Sequence, residues 1–188
     1  MPIFGITASS NQTIKLTDFE SIATINVTSN VASVEFTSIP QTYTHLQIRS
    51  FSRVNSGDSY QIFAQFNGDT GSNYSYHYLY GPGNSAAMLS GNTLNQTQMS
   101  GIGSSPGSTT GGSIFGASVC DILDYTNTNK FTTARAISGA ERQATPTYVF
   151  MPSGHWRSTA AITSIKLLSE GAASFVQYSS FALYGVRA

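Results

Sequence analysis

Apolar and polar positions alternate with a period of two through residues 43–81, YTHLQIRSFSRVNSGDSYQIFAQFNGDTGSNYSYHYLYG. The alternation breaks at Asn55-Ser56-Gly57-Asp58 and again at Asn67-Gly68-Asp69. Side chains two apart share a strand face, so Leu46 and Ile48 point one way and His45, Gln47 and Arg49 the other, as in a half-buried strand. Ile62, Ala64 and Phe66 alternate with Gln61, Phe63 and Gln65, where Phe63 interrupts the polar face and marks a loop or an oligomer contact. Tyr74, Tyr76, Tyr78 and Tyr80 share one side of a third strand, with His77 and Leu79 on the other. The pattern predicts successive antiparallel strands joined by tight turns.

The same grammar runs through the rest of the chain. β-branched residues at 22–27 and 31–36 flank Thr28-Ser29-Asn30 and read as a hairpin, which Ile39-Pro40-Gln41 ends because proline cannot donate to a ladder. From Gly81 to Ser113 the pattern dissolves into Gly, Ser, Asn and Thr, which predicts a long exposed excursion with at most one short strand. Strand character returns at 114–123, 131–138, 148–151, 162–168 and 175–186. In the last of these Phe181 and Leu183 face one way and Tyr178, Ala182 and Tyr184 the other. Residues 1–18 show no periodicity and read as an N-terminal arm preceding one domain at 19–188. Nine to eleven strands and no helix of three turns predict an all-β, antiparallel β-sandwich of jelly-roll type.

Composition narrows the classes of function. A chain of 188 residues can bury about 70% of the surface its unfolded form exposes, so one core suffices. Charged residues are 10% of the chain, nine basic against nine acidic, and offer no field that would gather nucleic acid or acidic lipid. A surface of neutral polar groups loses little hydration on docking and favours assembly. The N-terminus lacks a basic region followed by a continuous apolar run, so neither a signal peptide nor a membrane span is expected.

Catalytic chemistry is not signalled. His45, His77 and His155 lie in separate segments without metal-ligand spacing. Asp121 and Asp124 stand three apart at a strand end, which suits a turn or an ion pair better than a glycosidase pair completed by Glu141. Asn67, Asp69 and Asn73 lack a closing bidentate glutamate, so a turn held by Asx hydrogen bonds is expected rather than a calcium loop. Cys120 stands alone in an apolar run and reads as a small buried hydrophobe. Neither enzyme nor cofactor nor metal is expected. The tyrosine row and Trp156 either pack between sheets or subunits or present stacking faces to sugar rings.

The strings SIPQTYTHLQIRS, QFNGDTGSNYSYHYLYG, GASVCDILDYTNTNKF, GHWRSTAAITSIKLL and SSFALYGV, spanning roughly residues 20–187, resemble a family of small virion structural proteins of tailed bacteriophages, as in phages of aquatic bacteria such as cyanophages. The resemblance implies a particle component without a known reaction, found in the virion after assembly in the host cytoplasm. The first expectation is a capsid decoration or cement protein, or a small tail or neck component. It would bind other virion proteins and itself, as a homotrimer, through Ile3, Phe4 and Ile6 of the arm and Met88, Leu89 and Met99 of the excursion. The alternative is a tail-fibre or receptor-binding module that holds host surface glycans on Tyr76, Tyr78 and Trp156.

Overall fold

The computed structural model describes residues 18–83, 87–141 and 148–187. Among these, twelve strands form two antiparallel sheets: β1 (Phe19–Asn26), β2 (Ser33–Phe36), β3 (His45–Ser52), β4 (Ser59–Phe66), β5 (Tyr74–Pro82), β6 (Leu89–Gln96), β7 (Met99–Pro106), β8 (Gly116–Leu123), β9 (Thr132–Ala140), β10 (Tyr148–Trp156), β11 (Ile165–Ser169) and β12 (Ser180–Val186). The large sheet has the order β1-β12-β3-β8-β9-β10-β5-β6 and the small one β2-β11-β4-β7. Set aside β5, β6, β9 and β10, and the pairing is nested: β1 with β12, β2 with β11, β3 with β8, β4 with β7. That is the doubly folded hairpin of a jelly roll, as the strand pattern led one to expect. The other four strands continue the large sheet beyond β8 in the order β9-β10-β5-β6.

The core lies between the sheets. Leu46 and Ile48 of β3, Ile62, Ala64 and Phe66 of β4, Ile165 and Leu167 of β11, and Phe181 and Leu183 of β12 are fully buried, as their alternation predicts. Each large apolar side chain removed from water in this way contributes roughly 1.5–3 kcal/mol. Cys120 belongs to the same core, and burial pushes its thiol pKa well up, so the group is inert.

Three expectations are corrected. Residues 22–27 and 31–36 do not form a hairpin, because β1 lies in the large sheet and β2 in the small one. The intervening link crosses the edge of the sandwich. It is held there by the last link of the chain: Val27 N–H donates to Ser179 O (2.8 Å), and Val31 and Phe175 exchange a pair of main-chain bonds. Nor do the strands of residues 43–81 pair with one another, since β3, β4 and β5 alternate between the sheets.

The Gly/Ser-rich stretch, finally, is not an exposed excursion. It supplies β6 and β7, and every residue of β7 is buried. β7 runs over β8, β9 and β10 so closely that a Cβ on Gly103 would stand 2.4 Å from the Ser118 hydroxyl. Small residues are what this approach requires. Hydroxyls then satisfy one another inside: Ser52 with Ser105 at 2.6 Å, Ser50 with Ser118 at 2.5 Å, and Ser104 with Tyr148.

The crossing from β4 to β5 turns on Asn67 and Gly68, both at positive φ. Asp69 then gathers the turn by Asx-type bonds, as expected. One carboxylate oxygen accepts Gly71 N–H (2.8 Å), and the other accepts Asn73 Nδ2 (2.9 Å) and Trp156 Nε1 (2.7 Å). Burial alone would raise the Asp69 pKa, but these three donors outweigh it and hold the carboxyl below its ordinary value. A depressed carboxyl adds stability that is complete above its unfolded pKa of about 3.9 and lost as pH falls through the folded value. Asp69→Asn is therefore expected to lower Tm at pH 7 and to flatten the fall of Tm between pH 4 and pH 2. A thermal scan at stepped pH reads this, and parallel curves for the two proteins would refute it.

Candidate functional site

The outer face of the extended sheet has no layer packed on it among the described residues. Two neighbouring regions stand out there.

The first is apolar. Directly opposed residues share a face, and the registers set Val119 beside Ile137 and Met151 beside Leu79. Val149 follows on β10, and Phe51 of β3 stacks on Phe115 with ring centroids 5.0 Å apart. Phe51, Leu79, Ile137, Val149 and Met151 are each between 48% and 51% exposed. Single exposed apolar side chains are ordinary, but a group across the five adjacent strands β3, β8, β9, β10 and β5 marks an interaction surface. A groove of about 660 Å³ runs between Leu79, Ile137 and Met151, with the Asp121–Arg135 ion pair (3.7 Å) at its rim.

The second is polar. A cleft of about 660 Å³ opens over β6, β5, β10 and β9 toward Phe131. His77, Asn92, Thr133, Ser153 and His155 line it, with Leu94 and Phe131 at its sides. The register explains the convergence, since His77 pairs with both Asn92 and Ser153, and His155 with Thr133. Phe131 and the His155 ring lie parallel within 3°, centroids 6.5 Å apart. Burial, and then the positive charge of Arg157, hold the His155 pKa below its ordinary value and so favour the neutral ring.

The residues named from the sequence are dispersed by this arrangement. Ile3, Phe4 and Ile6 lie outside the described residues. Met88 (60%) and Leu89 (53%) are exposed at the start of β6. Met99 is corrected: it is 1% exposed and presses on Gly154, so it is no surface contact. Trp156 is corrected too. At 2% exposure it packs between Phe66 (5.6 Å) and Tyr74 (6.3 Å), and no sugar can reach it. Tyr76 and Tyr78 are half-buried on the inner side of β5, where Tyr78 packs on Phe150 and Tyr80 on Tyr148. The tyrosine row thus faces the small sheet.

The remaining candidates hold structure. Asp124, at the positive φ of a turn, pairs with Lys130, and its main-chain N–H donates to His45 Nδ1 (2.9 Å). Asp121 accepts from Gln47 Nε2 (2.9 Å). No group of three or more His, Cys, Asp or Glu that could hold a metal ion occurs among the described residues. No protein-family model, no curated protein and no solved structure matches the chain. Sequence reasoning missed both outer regions, since each is assembled from single residues on strands distant in the chain. The signal was a strand with apolar residues on both faces: Leu79 in the tyrosine strand, Ile137 in the next but one.

Proposed function

We propose that this chain is a non-enzymatic structural component of a tailed-bacteriophage particle, a decoration or cement protein of the capsid or a small tail or neck component, held to neighbouring subunits by the outer face of its large sheet. One observation carries the docking part: the apolar surface of Phe51, Leu79, Ile137, Val149 and Met151 on a sheet face that no layer of the described residues covers. Its rim charges are already paired with each other, so a partner meets mostly carbon and neutral groups. Low overall charge keeps the desolvation cost of such a contact small. The sequence resemblance supports the particle. The partners are other virion proteins and further copies of the chain.

Ile137→Lys with Met151→Lys tests the reading. Both positions are half exposed and bear on no core residue, so stability should change by about 0.5 kcal/mol or less. Two lysines on an interface core would abolish docking. Purified particles should then carry the wild-type chain and lack the variant, and the variant should run smaller than wild type in size-exclusion chromatography with light scattering. Equal incorporation of the two would sink the proposal.

A further inference from the structure

We infer that the polar cleft at Phe131 and His155 is a binding site for an uncharged saccharide. This does not rest on the docking surface, which continues along the same strands and meets the cleft at His77 and Ser153.

The lining decides the chemistry. None of the residues around the cleft is Asp, Glu, Lys or Arg. No cationic side chain lines the cleft to pair with an anionic ligand, and the donors of the nearby Arg157 guanidinium are engaged by Ser75 Oγ, Ser72 O and Asn95 Oδ1. Arg135 is likewise paired with Asp121. Besides Tyr76 and Ser75, whose hydroxyl accepts from Arg157, the cleft holds an amide, two hydroxyls and two imidazoles: Asn92, Ser153, Thr133, His77 and His155. No side-chain hydrogen bond within the described protein occupies any of the five, whereas the polar side chains just outside, Gln47, Asp121, Arg157 and Asn95, are all engaged. Five unspent groups that both donate and accept, converging on one concavity, suit a ligand that is itself a cluster of hydroxyls. Neutral His155 contributes one N–H and one acceptor nitrogen.

The walls complete the match. A pyranose has one face of C–H bonds, weakly positive, that packs on the negative face of an aromatic ring. Phe131 is half exposed and lies parallel to the His155 ring, and Leu94 adds a further apolar wall. A volume of about 660 Å³ is in the range of small-molecule sites and takes an oligosaccharide end better than a single ring. Sequence reading pointed to sugar on Tyr76, Tyr78 and Trp156; of these only Tyr76 is among the residues that line the cleft, and the aromatic wall is Phe131 instead.

The test is a titration of the full chain with lactose, maltotriose, cellobiose, mannobiose and chitotriose, and with sialyllactose as the anionic control, followed by calorimetry and by the imidazole resonances of His77 and His155. At least one neutral sugar is expected to bind in the millimolar range or tighter and to move both imidazole signals. Phe131→Ala should weaken that binding at least about tenfold, and Asn92→Ala should weaken it too, while Ile137→Lys leaves it unchanged. Asn92 is exposed on β6, so its variant answers the question even if loss of Phe131 disturbs the fold. Silence from every neutral sugar, tighter binding of sialyllactose, or binding indifferent to Phe131→Ala and Asn92→Ala would each overturn the site.

Discussion

Trp156→Ala is expected to remove about 3–5 kcal/mol of stability, the range for emptying a large aromatic site in a packed core. The indole is 2% exposed and sits between Phe66 of the small sheet and Tyr74 of the large one, so its removal opens a cavity where the sheets meet. The surroundings cannot collapse into it easily. Tyr74 is itself tied down: its hydroxyl donates to Asp69 O (3.0 Å) and accepts Phe66 N–H (3.0 Å), and burial pushes its pKa up to about 12. The variant also strips Asp69 of its indole donor while Asn73 and Gly71 remain. In a domain of this size each 1 kcal/mol moves Tm by about 2–4 °C, so a fall of roughly 6–20 °C should appear in a thermal scan. Trp156→Phe keeps a ring but not the N–H, and about 1–2 kcal/mol of the loss should persist. A fall of a degree or two for the alanine variant would return Trp156 to the surface.

Burial of Trp156 shows where reading the sequence stops. The strings that alternate apolar with polar were legible: inward Leu46, Ile48, Ile62, Phe66, Phe181 and Leu183 all sit where a period of two puts them. Asp69 was legible as a turn carboxylate, and Cys120 as core, because in both the local residues decide the outcome. Trp156 lies in GHWRS, with no alternating run on its C-terminal side to assign it a face. Its partner Asp69 is 87 positions away.

Pairing was illegible for a related reason. Residues 22–36 carry a good local hairpin signal, yet β1 pairs with β12 and β2 with β11, strands from the far end of the chain. Turn chemistry specifies where the chain bends, not whether the next strand stays in the same sheet. In a nested topology most bends are crossings. The candidate site follows the same logic. His77, Asn92, Ser153 and Thr133 become neighbours only through three successive strand registers, and the apolar surface is spread over five strands. No window of the sequence contains either.

The hardest case was β7, and it carries the second large effect: Gly101→Ala is expected to destabilise by roughly 2–5 kcal/mol. Its sequence, MSGIGSSP, has two large apolar residues in eight and reads as a loop. Hydrophobic pattern measures how much carbon a strand buries, whereas β7 is buried because small residues let two sheets approach. Gly101 meets two constraints at once. Its φ is +89°, inside a bulge where β7 slips against β4 between Gly103 and Ser100. A Cβ there would also stand 2.2 Å from the Cβ of Pro152 on β10, a rigid ring that cannot swing aside. The conformation costs a side chain about 1–2 kcal/mol, and forced overpacking about 1–3 more. Two other glycines separate these terms. Gly68 has φ +69° and open space, so Gly68→Ala should cost only the conformational part, about 1–2 kcal/mol. Gly112 has open space and no such φ, so Gly112→Ala should leave Tm unchanged within error. Denaturant midpoints of the three variants should therefore fall in the order Gly112→Ala, Gly68→Ala, Gly101→Ala, the last lowest. If Gly101→Ala cost no more than Gly68→Ala, β7 would not be pressed on β10, and the close approach that explains its serines and glycines would have to be abandoned.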